Sequence, residues 1–180
     1  DKNKINITIG YNSHPAQQHI RVLKSIARIN KNLKSKINLI LPFTYGPEDE
    51  DYISEIKNIC FKNNLKVIFV TKHLSEIELA RLRLSSHLMI QTQISDQFSG
   101  SMQEYLYAEN IIIVGEWLEY PDLENSGINL IKIKSFDEIN HLLTSILKNP
   151  EKFKDHSAIT KIKDISGWNK NLPLWNGLYY

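Results

Sequence analysis

The chain has 180 residues, of which 42% are hydrophobic and 23% charged, which excludes intrinsic disorder and suffices for one domain with a sizeable core. Its formal net charge is +2 and its basic residues are scattered, which excludes a general electrostatic affinity for nucleic acid. No apolar run approaches the ~20 residues that span a bilayer, and the single Cys60 permits no disulfide within the chain. We therefore expect a cytoplasmic domain. Because the first residue is Asp rather than Met, we expect the chain to be a piece of a longer protein or a processed product.

The first half of the chain alternates short apolar runs with helical patterns. Pro15 suits the first turn of one helix, and Ser75 with Glu78 three residues later forms the capping-box pattern of another. In chain order, the predicted elements are a strand at 5–10, a helix at 15–31, a strand at 37–41, a helix at 48–62, a strand at 66–70, a helix at 75–84 and a strand at 87–91.

The second half continues the alternation and closes on helices. A helix is predicted at 100–109, strands at 110–115 and 128–133, and an amphipathic helix at 136–148. The tail, residues 151–180, is polar with three aromatic residues that we predict to anchor it: Trp168, Trp175 and Tyr179.

This order of elements predicts an α/β fold, a Rossmann-like parallel sheet of about six strands with helices on both faces. The strands are nearly continuous apolar runs, as strands covered on both faces should be. Ligands of such sheets bind beyond the carboxyl ends of the strands, near the reversal of strand order. The loops to examine are those that follow residues 10, 42, 70, 91 and 115.

The loop after the first strand carries polar side chains at the start of a helix. Gly10 allows close backbone approach, and Asn12 and His19 offer polar groups where free N–H groups and the helix dipole favour an anion. The alternative is an ordinary turn with solvated polar residues.

Four consecutive acidic residues follow the second strand, at 48–51. Carboxylates in the first turn of a helix are stabilised by its dipole. Since the four have no regular ligand spacing and no companion His, we interpret them as helix-capping and solvated residues rather than as a metal site.

The loop after the fourth strand is the most informative. Ser99, Gly100 and Ser101 stand where a helix begins, and such small residues let a diphosphate approach bare backbone amides. Glu104, about one turn further on, could accept hydrogen bonds from a ribose. Taken alone, Asp96 and Ser99 would equally suit ordinary helix capping.

Residues 96–115 resemble the signature of family-4-like glycosyltransferases of the GT-B type. That signature is an acid, seven residues and a Glu, followed by small residues, a turn and an apolar strand. Asp96 and Glu104 have this spacing, and Phe98 holds the aromatic position two residues after the first acid. Asp96 departs from the pattern, because the first acid is more usually Glu.

Other segments resemble a narrower group, the bacterial 4-acetamido-4,6-dideoxygalactose transferases. "IGYN" followed by "QQH" is similar to the start of their donor-binding domain, and "LPFTYG" is similar to their second-strand segment. The tail "SGWNKNLPLWNGLYY" resembles the closing helix of GT-B enzymes. The resemblance covers essentially the whole chain.

The resemblance implies that residues 1–180 form the C-terminal, nucleotide-sugar-binding domain of a GT-B enzyme. It implies that Ser99, Gly100 and Ser101 bind the donor diphosphate, Glu104 the ribose and Asp96 a sugar hydroxyl. It places Gly10, Asn12 and His19 on the opposite wall, and the base near His73 and Glu76.

The implied chemistry is hexosyl transfer, with no cofactor and no metal, from a nucleotide-diphosphate sugar to a glycan or lipid-linked acceptor. The acceptor and the catalytic base would belong to an N-terminal domain that this chain lacks, so we expect the domain to be inactive alone. Cell-envelope or capsular polysaccharide synthesis is the expected context, and it implies peripheral association of the full-length protein with the inner face of the membrane.

Two alternatives stay open from the sequence. A non-catalytic binding module of flavodoxin-like topology would explain the alternation of elements equally well. A sugar-nucleotide epimerase or a glycerophosphate transferase of GT-B fold would share the whole pattern.

Overall fold

A computed structural model describes residues 4–179, with the backbone alone described for residues 178 and 179. Six parallel strands form one sheet in the order β3-β2-β1-β4-β5-β6. The strands are β1 (Ile5–Ile9), β2 (Ile37–Pro42), β3 (Val67–Val70), β4 (Leu88–Gln91), β5 (Ile111–Gly115) and β6 (Leu130–Ile133). This confirms the predicted Rossmann-like sheet and all six predicted strands, whose bounds differ by two residues at most.

Nine helices connect and follow these strands in the part of the chain that is described. They are α1 (His19–Ile26), α2 (Lys31–Lys34), α3 (Glu50–Lys62), α4 (Glu76–Ser85), α5 (Gly100–Tyr107), α6 (Pro121–Asn125), α7 (Glu138–Lys148), α8 (Ala158–Ser166) and α9 (Trp168–Tyr179). The capping box of α4 is confirmed, since Ser75 caps the helix and Glu78 bonds back to the Ser75 backbone.

The predicted helix at 15–31 is wrong as a single element. A 3-10 turn, Pro15–Gln17, precedes α1, and Gln18 between them has a left-handed backbone with φ of 60°. Asn30 then caps the separate short helix α2 through its side chain. The apolar spacing across this segment is helical, but the left-handed residue breaks the run of backbone hydrogen bonds.

Helices cover both faces of the sheet, as predicted. On one face, α1, α3 and α7 pack over a core that includes Ile9, Leu41 and Ile90. On the other face, α5 and α8 pack over Met89 and Ile112. Because both faces are covered, every residue of β2, β4 and β5 is buried, which explains their continuous apolar sequences.

The C-terminal helix exists, but its tryptophans are not buried anchors. Trp168 is 75% exposed and Trp175 is 52% exposed. The prediction fails because α9 packs chiefly on α8 rather than over the sheet, so its apolar side chains have no core to enter. The side chain of Tyr179 lies outside the described residues. Between residues 4 and 179, no helix has the length and apolar character needed to cross a bilayer.

Candidate functional site

The order of strands reverses between β1 and β4, and two polar loops meet at the carboxyl ends of these strands. Residues 10–18 follow β1, and residues 92–99 follow β4. A crevice forms at such a reversal because the neighbouring connections leave to opposite faces of the sheet. The residues predicted from the first and fourth loops therefore fall at one edge of the sheet.

Gly10 begins the first loop in a conformation that other residues rarely adopt. Its φ is +62°, and a Cβ built there would lie 2.7 Å from Oε1 of Gln17 and 3.0 Å from Nε2 of His19. The backbone of Gly10 thus runs directly over these two side chains. Asn12, two residues on, accepts a hydrogen bond at Oδ1 from the backbone of His14 over 2.9 Å, so it shapes the turn.

We expect Gly10→Ala to lower the free energy of unfolding by about 1–3 kcal/mol, the usual cost of a left-handed backbone in a residue with a Cβ. Gly100→Ala is the matched control, because no atom lies within 4 Å of a Cβ built there. Urea unfolding of both variants measures the difference, and equal stabilities would contradict the prediction.

A set of glutamines joins the two loops. Nε2 of Gln17 donates to Oε1 of Gln93 over 2.5 Å, and the Tyr11 hydroxyl donates to the same oxygen over 3.1 Å. Nε2 of Gln18 donates to the carbonyl of Thr92 over 2.6 Å. These bonds fix the two walls of the crevice relative to each other.

Sequence reasoning did not identify Gln93. The available signal was the run Gln91–Gln93, in which three polar residues directly continue a buried strand. Their exposed fractions are 0%, 1% and 4%. Polar side chains buried at a strand end usually have a network to complete.

His19 lies behind the crevice wall rather than on it. Its side chain is 0% exposed, Nδ1 lies 3.1 Å from the Tyr52 hydroxyl, and Nε2 has no hydrogen-bond partner among the described residues. Burial lowers the pKa of this imidazole from 6.5 to about 3. The ring is therefore neutral, and it supports the Gly10 turn from beneath.

This buried imidazole predicts a loss of stability in acid. Protonation favours the unfolded chain, because the folded pKa of His19 is about 3 and the unfolded value is 6.5. The stabilisation is present above pH 6.5 and is lost as the pH falls towards 3, by about 1.4 kcal/mol per pH unit. We expect His19→Gln to reduce this slope in urea unfolding measured between pH 7 and pH 5.5. Identical pH dependence in the two proteins would contradict the prediction.

The amino end of α5 is the second wall of the crevice. Ser99 caps the helix, and its Oγ accepts from the Met102 amide over 3.4 Å. The backbone N–H groups of the first helical turn have no partner within the helix, and the space beside Gly100 is open. The Ser101 side chain turns towards α4, where its Oγ accepts from Nη2 of Arg83 over 3.0 Å. Ser101 thus offers its backbone to the crevice.

Asp96 is held in place by a buried tyrosine. Its Oδ2 accepts from the Tyr120 hydroxyl over 2.8 Å, from Nε2 of Gln91 over 3.3 Å and from the Ser99 amide over 3.3 Å. Burial, followed by the hydrogen bond to Asp96, raises the pKa of Tyr120. Because all three bonds use Oδ2, the carboxylate has a fixed orientation at the start of α5.

Glu104 is bound to a buried arginine that sequence reasoning missed. Nε of Arg83 donates to Oε2 of Glu104 over 3.1 Å, and Nη1 donates to the Tyr105 hydroxyl over 2.8 Å. The Arg83 side chain is 9% exposed, whereas that of Glu104 is 49% exposed. Arg83 therefore holds one carboxylate oxygen of Glu104, Oε2, while about half of this side chain remains exposed to solvent.

A groove of about 480 Å³ runs between α4 and α5. Glu76 and Glu104, which the resemblance implied for the base and the ribose, both line it, together with Arg83 and Tyr107. His73 is exposed three residues before Glu76 and is not part of the groove lining.

Six of the predicted residues thus fall into three pairs. Gly10 and His19 are in contact below the first loop, while Asp96 and Ser99 are hydrogen-bonded at the start of α5. Glu76 and Glu104 share the groove. Asn12 shapes the first loop and His73 is exposed before α4.

No model of a known protein family matches the sequence, and no curated protein matches it. Many solved structures superpose on nearly the whole chain, and three of them illustrate the likeness. The UDP-forming trehalose-phosphate synthase of Burkholderia xenovorans, solved with glucose-6-phosphate, has a TM-score of 0.79 at 11% identity, over 99% of this chain and 45% of its own. HepE of Anabaena, solved with UDP and glucose, has a TM-score of 0.77 at 13% identity, over 98% and 48%.

The third is the sucrose-phosphate synthase of Thermosynechococcus elongatus, with a TM-score of 0.76 at 14% identity, over 98% of this chain and 45% of its own. All three are GT-B glycosyltransferases. The chain spans just under half the length of each of them. At these identities the likeness establishes the fold alone, a Rossmann-like α/β sheet of six parallel strands that matches part of each of these proteins.

Proposed function

We propose that this chain is the donor domain of a GT-B glycosyltransferase and binds a nucleotide-diphosphate sugar. One observation carries the proposal: Asp96 and Glu104 are separated by seven residues, with Asp96 in the loop before α5 and Glu104 on the second turn of this helix, which opens onto the strand-order reversal. HepE, a structural neighbour, was solved with UDP and glucose, which supports the same ligand class here.

The diphosphate is assigned to the amino end of α5. The amides of Gly100 and Ser101 are first-turn donors, and the helix dipole favours negative charge at this end. Gly100 leaves room for the phosphate oxygens, since no atom lies within 4 Å of a Cβ built there. Gly10 offers its backbone from the opposite wall.

The nucleoside is assigned to the groove between α4 and α5. Glu104 has a half-exposed carboxylate oriented by Arg83 and can accept hydrogen bonds from two ribose hydroxyls. Glu76 lies further along the same groove, where it can accept from a base. His73 is exposed in the preceding loop outside the groove lining, so its assignment to the base rests on the sequence resemblance alone.

The donor sugar is assigned to the space beside Asp96. This carboxylate is oriented by Tyr120 through Oδ2, so Oδ1 can accept from a sugar hydroxyl. Transfer separates the sugar from the diphosphate, and negative charge then builds on the diphosphate. Fixed amide donors aimed at that charge stabilise it without a metal or cofactor.

A general base and the acceptor site would belong to a second domain, so hexosyl transfer would require the longer protein. A glycan or lipid-linked acceptor, polysaccharide synthesis and a location at the inner face of the membrane are parts of the same proposal. They rest on the sequence resemblance alone.

Calorimetric titration of the chain with UDP, TDP, GDP and CDP tests the proposal, each with and without Mg²⁺. We expect one of the four to bind, with an affinity that does not depend on Mg²⁺. Failure of all four to bind a folded sample would contradict the proposal and favour the non-catalytic module.

A further inference from the structure

Charge is unevenly distributed in the strands and helices of the first half of the chain. No Asp or Glu occurs between residues 2 and 47, or between residues 56 and 75, although both segments contain several Lys residues. Although the net charge is only +2, these two long segments carry positive charge and no negative charge.

The fold brings lysines of both segments to the amino edge of the sheet. Lys36 directly precedes β2, and Lys66 directly precedes β3. Lys62 ends α3, and Lys31 and Lys34 lie on the short helix that leads into β2. Strands that run parallel begin at the same edge, so lysines before successive strands become neighbours. We call these five residues the amino-edge lysines.

A cavity of about 380 Å³ opens among them. Its lining includes Lys31, Lys34 and Lys66, and no lining residue is acidic. The lining is completed by Lys4, Ser35, Ile37, Asn63 and Asn64. The Ser35 hydroxyl already donates to the carbonyl of Asn32, and Nδ2 of Asn63 donates one N–H to the carbonyl of Ile59. The neutral donors of the lining are therefore the remaining side-chain N–H groups of Asn63 and Asn64.

The amino-edge lysines have no acidic partners among the residues that the structure describes. None of the five takes part in an ion pair, whereas Lys24, Lys72, Lys132, Lys154 and Lys161 each pair with a carboxylate. Lys34 instead donates Nζ to the carbonyl of Ala27 over 3.1 Å, so its ammonium has a neutral rather than an acidic partner. Neighbouring like charges repel, so a multiply charged anion would stabilise this edge.

We propose that the amino edge of β1–β3 is a binding site for clustered phosphate groups. Phosphate fits because it offers several charged acceptors to Lys ammonium and amide donors at once. A strand of five residues spans roughly 16 Å, so this site lies at the opposite end of the sheet from Asp96 and Glu104. It is independent of the proposed donor site.

Two sources could present this chemistry: a soluble oligophosphate-bearing molecule and the headgroups of an anionic membrane. The probes are inorganic tripolyphosphate, titrated calorimetrically, and phosphatidylglycerol-containing vesicles, tested by co-sedimentation against pure phosphatidylcholine. Both measurements use the same 180-residue chain at low salt, because ionic screening weakens such contacts.

The test variant is Lys31→Gln/Lys66→Gln. The matched control is Lys57→Gln/Lys170→Gln, which removes the same charge from exposed positions outside the cavity lining. Each lysine at an anionic surface contributes about fivefold in affinity, so we expect about 25-fold weaker binding in the test variant and less than about threefold in the control.

Binding of tripolyphosphate alone would support the site and identify a soluble ligand, and binding of anionic vesicles alone would identify a membrane surface. Binding of both tripolyphosphate and anionic vesicles would support a site that recognises phosphate groups from either source. Binding of neither would overturn the proposal, as would equal losses in the two double variants. If the test variant binds the nucleoside diphosphate as tightly as the wild-type chain does, the two sites are independent. Loss of tripolyphosphate or vesicle binding can then be assigned to the amino edge alone.

Discussion

Replacing Arg83 with Met is expected to lower the free energy of unfolding by about 2–3 kcal/mol. The guanidinium is buried and donates to Glu104, Tyr105 and Ser101. Its carbon also lies 4.3 Å from the centre of the Tyr105 ring. Met fills much of the volume but supplies no donor, so the fully buried Tyr105 hydroxyl loses a partner. The loss stays below that of a fully buried ion pair because Glu104 is half exposed and can rehydrate.

Urea unfolding measures this difference, and Arg81→Met is the matched control. Arg81 lies on the same helix but is exposed, so its replacement should change the free energy of unfolding by less than about 0.5 kcal/mol. Arg83→Lys should give an intermediate loss, because it keeps the charge without the planar set of donors. If the Arg83→Met and Arg81→Met proteins had the same free energy of unfolding, the hydrogen bonds of Arg83 between α4 and α5 would contribute nothing to stability.

Glu104→Gln is expected to weaken binding of the preferred nucleoside diphosphate by about 10- to 100-fold. Hydrogen bonds to a charged carboxylate contribute roughly 1.5–3 kcal/mol, and this range corresponds to such a loss in affinity. The amide fills the same space but carries no charge and has a single acceptor oxygen. Calorimetric titration of wild type and variant measures the effect.

Glu55→Gln provides the matched control for this substitution. The Glu55 side chain is 50% exposed and pairs with Lys24, whereas that of Glu104 is 49% exposed and pairs with Arg83. Removing the same charge at the same exposure on α3 should leave nucleotide affinity within about twofold. A comparable loss in both variants would mean that Glu104 acts through overall charge rather than through contact.

The fold was predictable because each of its strands coincides with a nearly continuous run of apolar residues in the sequence. Parallel strands covered on both faces need no polar side, so runs such as "INLIL" and "IIIV" stand out between polar loops. The capping pair of Ser75 and Glu78 was also visible, since it depends on two residues three apart. Local patterns of this kind survive in any tertiary context.

The details that failed depend on backbone conformation or on distant contacts. Gln18 gives no sign in the sequence that it adopts a left-handed backbone, yet that residue breaks the predicted helix at 15–31. The helix Pro121–Asn125 was not predicted, because a five-residue element is too short to show a helical period. Trp168 was predicted to anchor the C-terminal tail, but it is 75% exposed because α9 has no core to enter.

The candidate site was predictable only for those residues that lie close to one another along the chain. The spacing of Asp96 and Glu104 spans one loop and one helix, and it can be read directly from the sequence. Arg83 lies 21 residues from Glu104, and Gln17 lies 76 residues from Gln93, so no local pattern connects them. His19 appears in the sequence as a polar residue of a loop, and only packing against Phe43 and Tyr52 makes it a buried, neutral ring.

The cluster of amino-edge lysines was likewise not predictable from local sequence patterns. In the sequence they are separated by polar and apolar residues and form no dense block. Parallel strand order places Lys36 and Lys66 at one edge although they are far apart along the chain. Charge patches built by topology in this way are visible only once the strand order is known.

A ¹H–¹⁵N correlation spectrum of the labelled chain, recorded during titration with the preferred nucleoside diphosphate, locates the bound nucleotide most directly. We predict that the largest shift changes occur at the amides of Gly100 and Ser101, with further changes at Gly10 and Glu104. These residues would surround a diphosphate and ribose bound at the carboxyl edge of the sheet. Changes confined to Lys31, Lys66 and their neighbours at the amino edge would contradict a donor site at the carboxyl edge, because the nucleotide would then occupy only a general phosphate site.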